Sequence, residues 1–300
     1  MKRWSELFNL PETNFHFCGD EYIYAEISRE MRVESNFKAL AVTEELRRRN
    51  IPGIIDIVSS NASYLVRYNP EVISARDLAD YVKEIDFTKS DPAGLDLSVR
   101  IVEIPIWYDD PVTKEYSRRF RNRHQEPDLS NFDYVMKVNG FTDKQAFIEK
   151  HSSLPYLITM VGFLPGTAWH FPLGAKPSDI IQAPKYKSPR TDTPERSVGI
   201  GGAFNVVYPV QGTGSYQLIG MSAVPVVDLS DRLMDLKDTA FLARPGDIWK
   251  YRPVDESEYT AIQARVSSGD YRYKMKVIDL SPIEYIAKGK EYIEELMGDF

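Results

Sequence analysis

From residue 155 onward the chain breaks into short β-rich runs: "YLITMVGFL", "SVGIGGAFNVVYPV", "SYQLIGM", "DIWKYRPV" and "YKMKVIDL". Each is rich in β-branched and aromatic residues, and glycine or proline punctuates the gaps. That spacing over 155–280 predicts a closed or barrel-like antiparallel sheet. One stretch within it stands out. "GFLPGTAWHFPLG" (162–174) has three glycines, two prolines, no Asp, Glu, Lys or Arg, and one polar ring, His170. Pro165 and Gly166 exclude a regular helix there. It reads as a strand end that becomes a tight, partly buried loop.

The first hundred residues have a different texture. "DEYIYAEI" alternates, with Ile23, Ala25 and Ile27 on one face. "SNFKALAVTEELRRRN" is an amphipathic helix with Ser35 as its N-cap and Asn50 at its end. "IIDIV" and "SYLVRY" are strands, "SARDLADYVKEID" is a helix capped by Ser74, and "SVRIVEIPI" is another strand. The order is β-α-β-β-α-β, the ferredoxin-like arrangement. Residues 86–97, "DFTKSDPAGLDL", read as a linker. The expected organisation is α+β: a ferredoxin-like domain over 1–97, then a β-barrel domain over 98–300. The second domain carries a helical insertion near 110–150 and a terminal amphipathic helix, "EYIAKGKEYIEELMGDF". Within the insertion, Asp109 and Asp110 suit a helix N-terminus and Thr142 suits the cap of the last helix. Arg118, Arg119, Arg121, Arg123 and His124 form a basic cluster, read as a solvated helix face or an anion-holding surface.

Composition removes several classes of function. Charged residues make up 27% of the chain with both signs mixed, and the net charge is −7, which disfavours nucleic acid as a partner. No apolar run reaches membrane-spanning length, and "MKRWSELFNLPETNFHF" lacks the apolar core of a signal peptide. The single cysteine, Cys18, forms no internal disulfide and is expected to be a buried or half-buried thiol. A cytoplasmic location fits these features.

Motif tests are mostly negative. "GIGGAF" lacks the Lys-Ser/Thr of a phosphate loop, and no helix follows "GTGSYQ" as a dinucleotide fingerprint needs. Histidines 16, 124, 151 and 170 have no metal-ligand spacing, so no metal is expected. No nucleophile elbow is present. Lys276 in "YKMKV" has the wrong flanks for an attached biotin. A constellation of loops is left. Gly201 and Gly202 can present backbone N–H groups as an anion nest. Asn205, Tyr208 and Gln217 offer neutral hydrogen-bonding tips. Arg190 and Arg196 sit on the Pro-rich segment "KSPRTDTPERSVG", and Trp169 and His170 on the aromatic stretch. Such a set suits a planar polar ligand: an amide, a ureido ring or a carboxylate. Each residue also has a structural alternative: Tyr208 as core, Gln217 as a partner for neighbouring strands, His170 as a ring bonded to backbone.

"GFLPG", "SPRTDTPERSVGIGGAFNVVYPVQGTGSYQLIGM" and the ferredoxin-like order before them resemble the family of allophanate hydrolase subunit 1. That family includes a subunit of 5-oxoprolinase, the Kip kinase inhibitor and the matching part of urea carboxylase. "RIVEIPIWYDDPVTKEYSRRF", "MKVNGF" and "DIWKYRPVDESEY" look closer to the urea carboxylase version. The resemblance implies a cyclophilin-like barrel and half of a biotin-dependent carboxyltransferase, which moves a carboxyl group from carboxybiotin to urea or a related amide. Biotin would be carried on a partner protein and not attached to this chain. The implied partners are a subunit-2-like carboxyltransferase or amidolyase protein, a biotin carboxylase and a biotin carrier protein, without which the chain is expected to be inactive. In such a site Gly201, Gly202 and Asn205 would supply donors to developing oxyanions. Arg190 would hold a carboxylate or carbonyl, and His170 would orient or deprotonate an amide nitrogen. Trp169, Tyr208 and Gln217 would contact substrate. Two alternatives follow from the same resemblance: a component of an ATP-dependent lactam (5-oxoproline) or allophanate-type amide hydrolase, and a histidine-kinase-binding regulator.

Overall fold

The computed structural model describes residues 8–88, 97–298 and 300. They form an α+β chain of two compact units, one made of residues through Val99 together with Ile278–Phe300, the other of Arg100–Val277. The leader reading falls partly on residues 1–7, and most of the expected linker on 89–96; both stretches lie outside the described residues.

The first unit holds four antiparallel strands, β1 (Asn14–Cys18), β2 (Tyr22–Glu26), β3 (Ile54–Ser59) and β4 (Ser63–Tyr68), in the order β1-β2-β4-β3. Helix α1 (Val33–Arg49) follows β2, and α2 (Ala75–Thr88) follows β4. Ile23, Ala25 and Ile27 are buried, as their alternation predicts. Ser74 accepts from the Asp77 N–H at 3.1 Å and caps α2. Asn50 closes α1 in the left-handed region, with φ 46°. Ser35, however, is not a cap: α1 begins two residues earlier, and Ser35 is buried inside it with no partner for its Oγ.

The last strand of the expected ferredoxin-like order is displaced. "SVRIVEIPI" lies in β5 (Leu97–Tyr108), whose partners all belong to the other, larger sheet, and β1 takes the remaining edge of the small sheet. Pattern reading missed β1 because it buries no alternating face; Phe17 is 60% exposed. Cys18 sits on this edge and is exposed, a correction to the buried thiol expected from sequence.

The second unit continues with the helical insertion α3 (Pro111–Arg119), α4 (Asn131–Val138) and α5 (Lys144–Ser153). Then come β6 (Pro155–Val161), β7 (Ala168–Pro172), β8 (Arg190–Thr193), β9 (Ser197–Gly201) and β10 (Phe204–Val207). They are followed by β11 (Gly212–Gly214), β12 (Gln217–Ser222), β13 (Ile248–Pro253), α6 (Glu256–Ser268) and β14 (Met275–Leu280). Seven strands run in the order β12-β9-β10-β7-β6-β13-β5, and β12 pairs with β5 to close the barrel. One pair, β5 with β13, is parallel, so the barrel is not wholly antiparallel. Closure leaves an interior that side chains must fill, here with Trp249, Tyr251, Tyr156 and Ile158. β8 and β11 form a separate two-stranded sheet.

The aromatic stretch 162–174 is thus more than a loop, since its second half is barrel strand β7, paired with β6 and β10. Gly166 precedes it with φ +85°, and a Cβ there would strike the side chains of Val227 and Phe241. In the insertion, Asp110 caps α3 by accepting from Val112 N at 2.8 Å and Thr113 N at 2.9 Å. Asp143, rather than Thr142, caps α5. Much of the basic cluster is engaged: Arg118 pairs with Glu115 at 2.7 Å, Arg119 with Asp192 at 3.0 Å, and Arg123 donates to Pro189 O at 2.5 Å.

The single terminal helix expected for the barrel domain is two helices, α7 (Pro282–Lys288) and α8 (Lys290–Met297), separated by Gly289 at φ 58°. Both group with the first unit. There the Tyr285 ring meets Phe37 of α1 edge-on at 5.5 Å, and Tyr292 and Ile293 are buried.

Candidate functional site

Two groups of polar and aromatic residues emerge in the second unit, one inside the barrel and one opening to its surface. The interior group is built by strand register. Asn205 on β10 lies opposite His170 on β7, and Ile158 on β6 also faces His170. His151 of α5 donates from Nε2 to Asn205 Oδ1 at 3.2 Å, because a carbonyl oxygen can only accept. Its Nδ1 lies 2.8 Å from the Tyr108 hydroxyl and accepts from it when the ring is neutral. His170 Nδ1 bonds the Tyr251 hydroxyl, and its Nε2 has no partner. Burial pushes His151 down to about 4. Burial, then the neighbouring His151, pushes His170 down to about 3. Both rings have no exposed surface.

The surface group is a pocket of about 110 Å³ lined by Phe163, Thr167, Trp169, Lys185, Tyr208 and Tyr216, among others. The "GFLPG" turn supplies Phe163, and the residue just after the turn is Thr167; β7 supplies Trp169, and the ends of β10 and β11 bring in Tyr208 and the segment before Tyr216. Trp169 and Tyr216 meet nearly perpendicular at 6.1 Å, and Trp169 donates to Gly162 O at 3.3 Å. The Lys185 ammonium lies 5.1 Å from the Tyr216 ring centre and 5.8 Å from that of Trp169. Two buried hydroxyls on these walls, Thr167 Oγ1 and Tyr216 Oη, make no hydrogen bond. Burial raises the Tyr216 phenol, keeping it a neutral donor. Phe163 holds φ +85°, strained for a residue with a side chain, and is 65% exposed at the rim. The pocket is well below the ~300 Å³ of a drug-sized site, so it fits a group of a few heavy atoms.

Of the residues singled out from sequence, Trp169 and Tyr208 line this pocket. His170 and Asn205 face the barrel interior and do not line this pocket; His170 has no exposed surface and Asn205 is 3% exposed. Arg190 is fully buried behind the pocket, donating from Nη1 to Tyr216 O at 2.8 Å and stacking over Tyr186 at 4.7 Å. Gln217 has no exposed surface; it accepts from His124 Nε2 at 2.9 Å and donates to Pro184 O at 2.8 Å. His124 therefore belongs to the core and not to a basic surface. The nest expected at Gly201 and Gly202 is not free either: Gly202 N–H donates to Ala183 O at 2.8 Å, and Gly201 lies against the Tyr216 ring. Sequence reasoning missed Thr167, Lys185 and Tyr216. The signal for them was their place inside or beside the quoted motifs, but only the fold turns them to one cavity. Among the described residues, no cluster of His, Cys, Asp or Glu is placed to hold a metal, and no helix is long and apolar enough to cross a membrane.

Residues 13–235 match the family model for the carboxyltransferase domain, subdomain C and D. The chain belongs to that family. As a carboxyltransferase subdomain C and D protein it is 24% identical over 294 residues to urea amidolyase of Lachancea kluyveri, covering 95% of this chain but 16% of that protein. It is 28% identical over 257 residues to a 5-oxoprolinase subunit of Bacillus subtilis, covering 81% of this chain and 93% of that one. In fold it matches the urea carboxylase of Kluyveromyces lactis with a TM-score of 0.80 at 22% identity, over 95% of this chain and 26% of the other. The carboxyltransferase subdomain C and D chain thus spans a small part of the urea enzymes and nearly the length of the oxoprolinase subunit.

Proposed function

We propose that this chain is the subunit-1-like half of the carboxyltransferase of a biotin-dependent, urea-type carboxylase, and that the Trp169 pocket receives the flat amide or ureido group. The observation that carries this reading is the pocket itself: aromatic walls, a cation above two of the rings, and two hydroxyls with no other partner. A planar group with carbonyl and N–H edges would satisfy those hydroxyls, with one face against Trp169 and an edge toward the Tyr216 ring. This chemistry fits the ureido ring of biotin as well as urea. Biotin, carried on another protein, would supply the activated carboxyl group when bound.

The chain's own residues then do three things. Trp169, Tyr208 and Tyr216 exclude water. Thr167 and Tyr216 orient the amide through hydrogen bonds. Lys185 favours negative charge growing on a carboxyl oxygen nearby. Arg190 acts as a positioning residue through the Tyr216 backbone. A subunit-2-like partner, a biotin carboxylase and a biotin carrier complete the enzyme in this reading. The test is reconstitution of those four components. Urea-dependent ATP turnover that needs bicarbonate, is blocked by avidin and falls at least tenfold in Trp169→Ala supports it. Turnover insensitive to avidin and bicarbonate overturns it.

A second reading has its own support, since the chain matches 93% of the length of a 5-oxoprolinase subunit. In that case the pocket would hold a lactam amide, and 5-oxoproline would drive ATP turnover without bicarbonate or biotin.

A further inference from the structure

A second cavity of the second unit shares no lining residue with the Trp169 pocket. It measures about 430 Å³, within the range of small-molecule sites. Its walls come from the turn before β9, the chain just after β10, the loop around residues 225–233, and one face of α6. The lining mixes aliphatic groups such as Val210, Leu229 and Val266 with two guanidinium groups, Arg196 and Arg232.

Arg196 is held in place with unusual care. Its φ is +64°, a left-handed conformation that costs a non-glycine residue about 1–2 kcal/mol. Two backbone hydrogen bonds fix it there: Arg196 N donates to Tyr208 O at 2.7 Å, and Ser222 N donates to Arg196 O at 2.8 Å. Its Nη1 donates to Gln263 Oε1, and Gln263 is itself anchored by donating Nε2 to Ala223 O. The guanidinium is therefore pre-oriented by a partner that cannot swing away. Its Nε is buried and makes no hydrogen bond; the carboxylate of exposed Glu195 stands 3.9 Å off, too far to accept one.

The cavity's other acid is already occupied. Asp228 Oδ1 accepts from Ser230 N at 2.9 Å and from Ser230 Oγ at 2.5 Å, and Oδ2 from Arg232 N at 2.9 Å and Leu233 N at 2.8 Å. Those bonds tie the loop and leave the Arg232 side chain exposed beside the cleft.

We propose that this cleft binds a small organic anion, its carboxylate or phosphate oxygens taken by Arg196 and Arg232 and its apolar part lying against Val210, Leu229 and Val266. A buried unpaired guanidinium N–H is the group such an oxygen satisfies, and strain kept at a fixed side chain accompanies function. The site is independent of the proposed carboxyl transfer.

The test titrates butyrate and, separately, inorganic phosphate into the full chain by calorimetry at low salt. Saturable binding of either probe is expected, weakened at least tenfold in both Arg196→Gly and Arg232→Gln. Binding of butyrate alone points to a carboxylate with an apolar tail; binding of phosphate points to a phosphate ester. Arg196→Gly relieves the left-handed strain, and Arg232 makes no side-chain bond among the described residues, so both variants are expected to fold. Circular dichroism of each variant checks this. No saturable binding of either probe, or binding that persists within threefold in folded Arg232→Gln, overturns the proposal.

Discussion

Arg190 reaches the backbone carbonyl of Tyr216 at 2.8 Å from a position with no exposed surface. This bond ties a charge behind the pocket to the segment that forms its wall. The guanidinium has few substitutes there, because Nε also serves Thr193 Oγ1 at 3.2 Å and the plane lies over Tyr186. Arg190→Ala is expected to lose roughly 2–4 kcal/mol of stability in urea titrations. Arg190→Lys should recover only part of it. An alanine variant as stable as wild type would remove the positioning role.

Tyr216→Phe tests the unpaired hydroxyl from the other side. Removing a buried phenol that bonds nothing should leave stability unchanged or raise it by about 1 kcal/mol. On the proposed function, turnover of the reconstituted enzyme should nevertheless fall on the order of tenfold to a hundredfold, since the lost group would orient substrate. Paired melting curves and steady-state rates check the split. A rate equal to wild type would mean that the hydroxyl touches no substrate.

The interior histidines predict an acid-sensitive barrel. Their folded values of about 4 and about 3 lie below an unfolded value of ~6.5, so the unfolded chain binds more protons as pH falls below that. Stability is fully present above pH ~6.5 and declines toward the folded values, by about 2 kcal/mol per histidine at pH 5. Urea midpoints measured from pH 7.5 to 5 should show this slope. Replacing His151 and His170 together with glutamine should flatten it, and an unchanged slope would assign the acid sensitivity elsewhere.

Gly166 should tolerate no side chain. Alanine there would meet Val227 and Phe241 and would also hold φ +85°. A loss of at least about 2 kcal/mol is expected from strain and overpacking combined. Thermal melting of Gly166→Ala gives the answer; a melting point within a degree of wild type would show that the turn can shift freely.

These predictions rest on features that differ in how visible they are in the sequence. Residues whose role is periodic are legible: Ile23, Ala25 and Ile27 alternate, and the Gly/Pro spacing after residue 155 announces the barrel. Ser74 and Asp110 are legible as caps because capping is a local bond. What sequence reading misses is non-local. The direction in which β7 turns His170 depends on pairing with β6 and β10, and a one-residue difference in register reverses it. Arg190 and Arg196 sit six residues apart on one segment, yet one goes behind an aromatic wall and the other into a separate cleft. Lys185 and Tyr216 carry no motif of their own; they become neighbours only when β11 returns beside β8.

The grouping of Ile278–Phe300 with the first unit makes the barrel, in chain order, a guest between two parts of a host separated by 178 residues. A ribosome delivers the whole guest before the host's last helices exist. The ring of Phe37 therefore waits for Tyr285 until the barrel has been synthesised, while every strand of the barrel's closed ring already lies upstream. Assembly order is thereby written into the connectivity: the ring can close first, and the unit built from both ends of the chain finishes late.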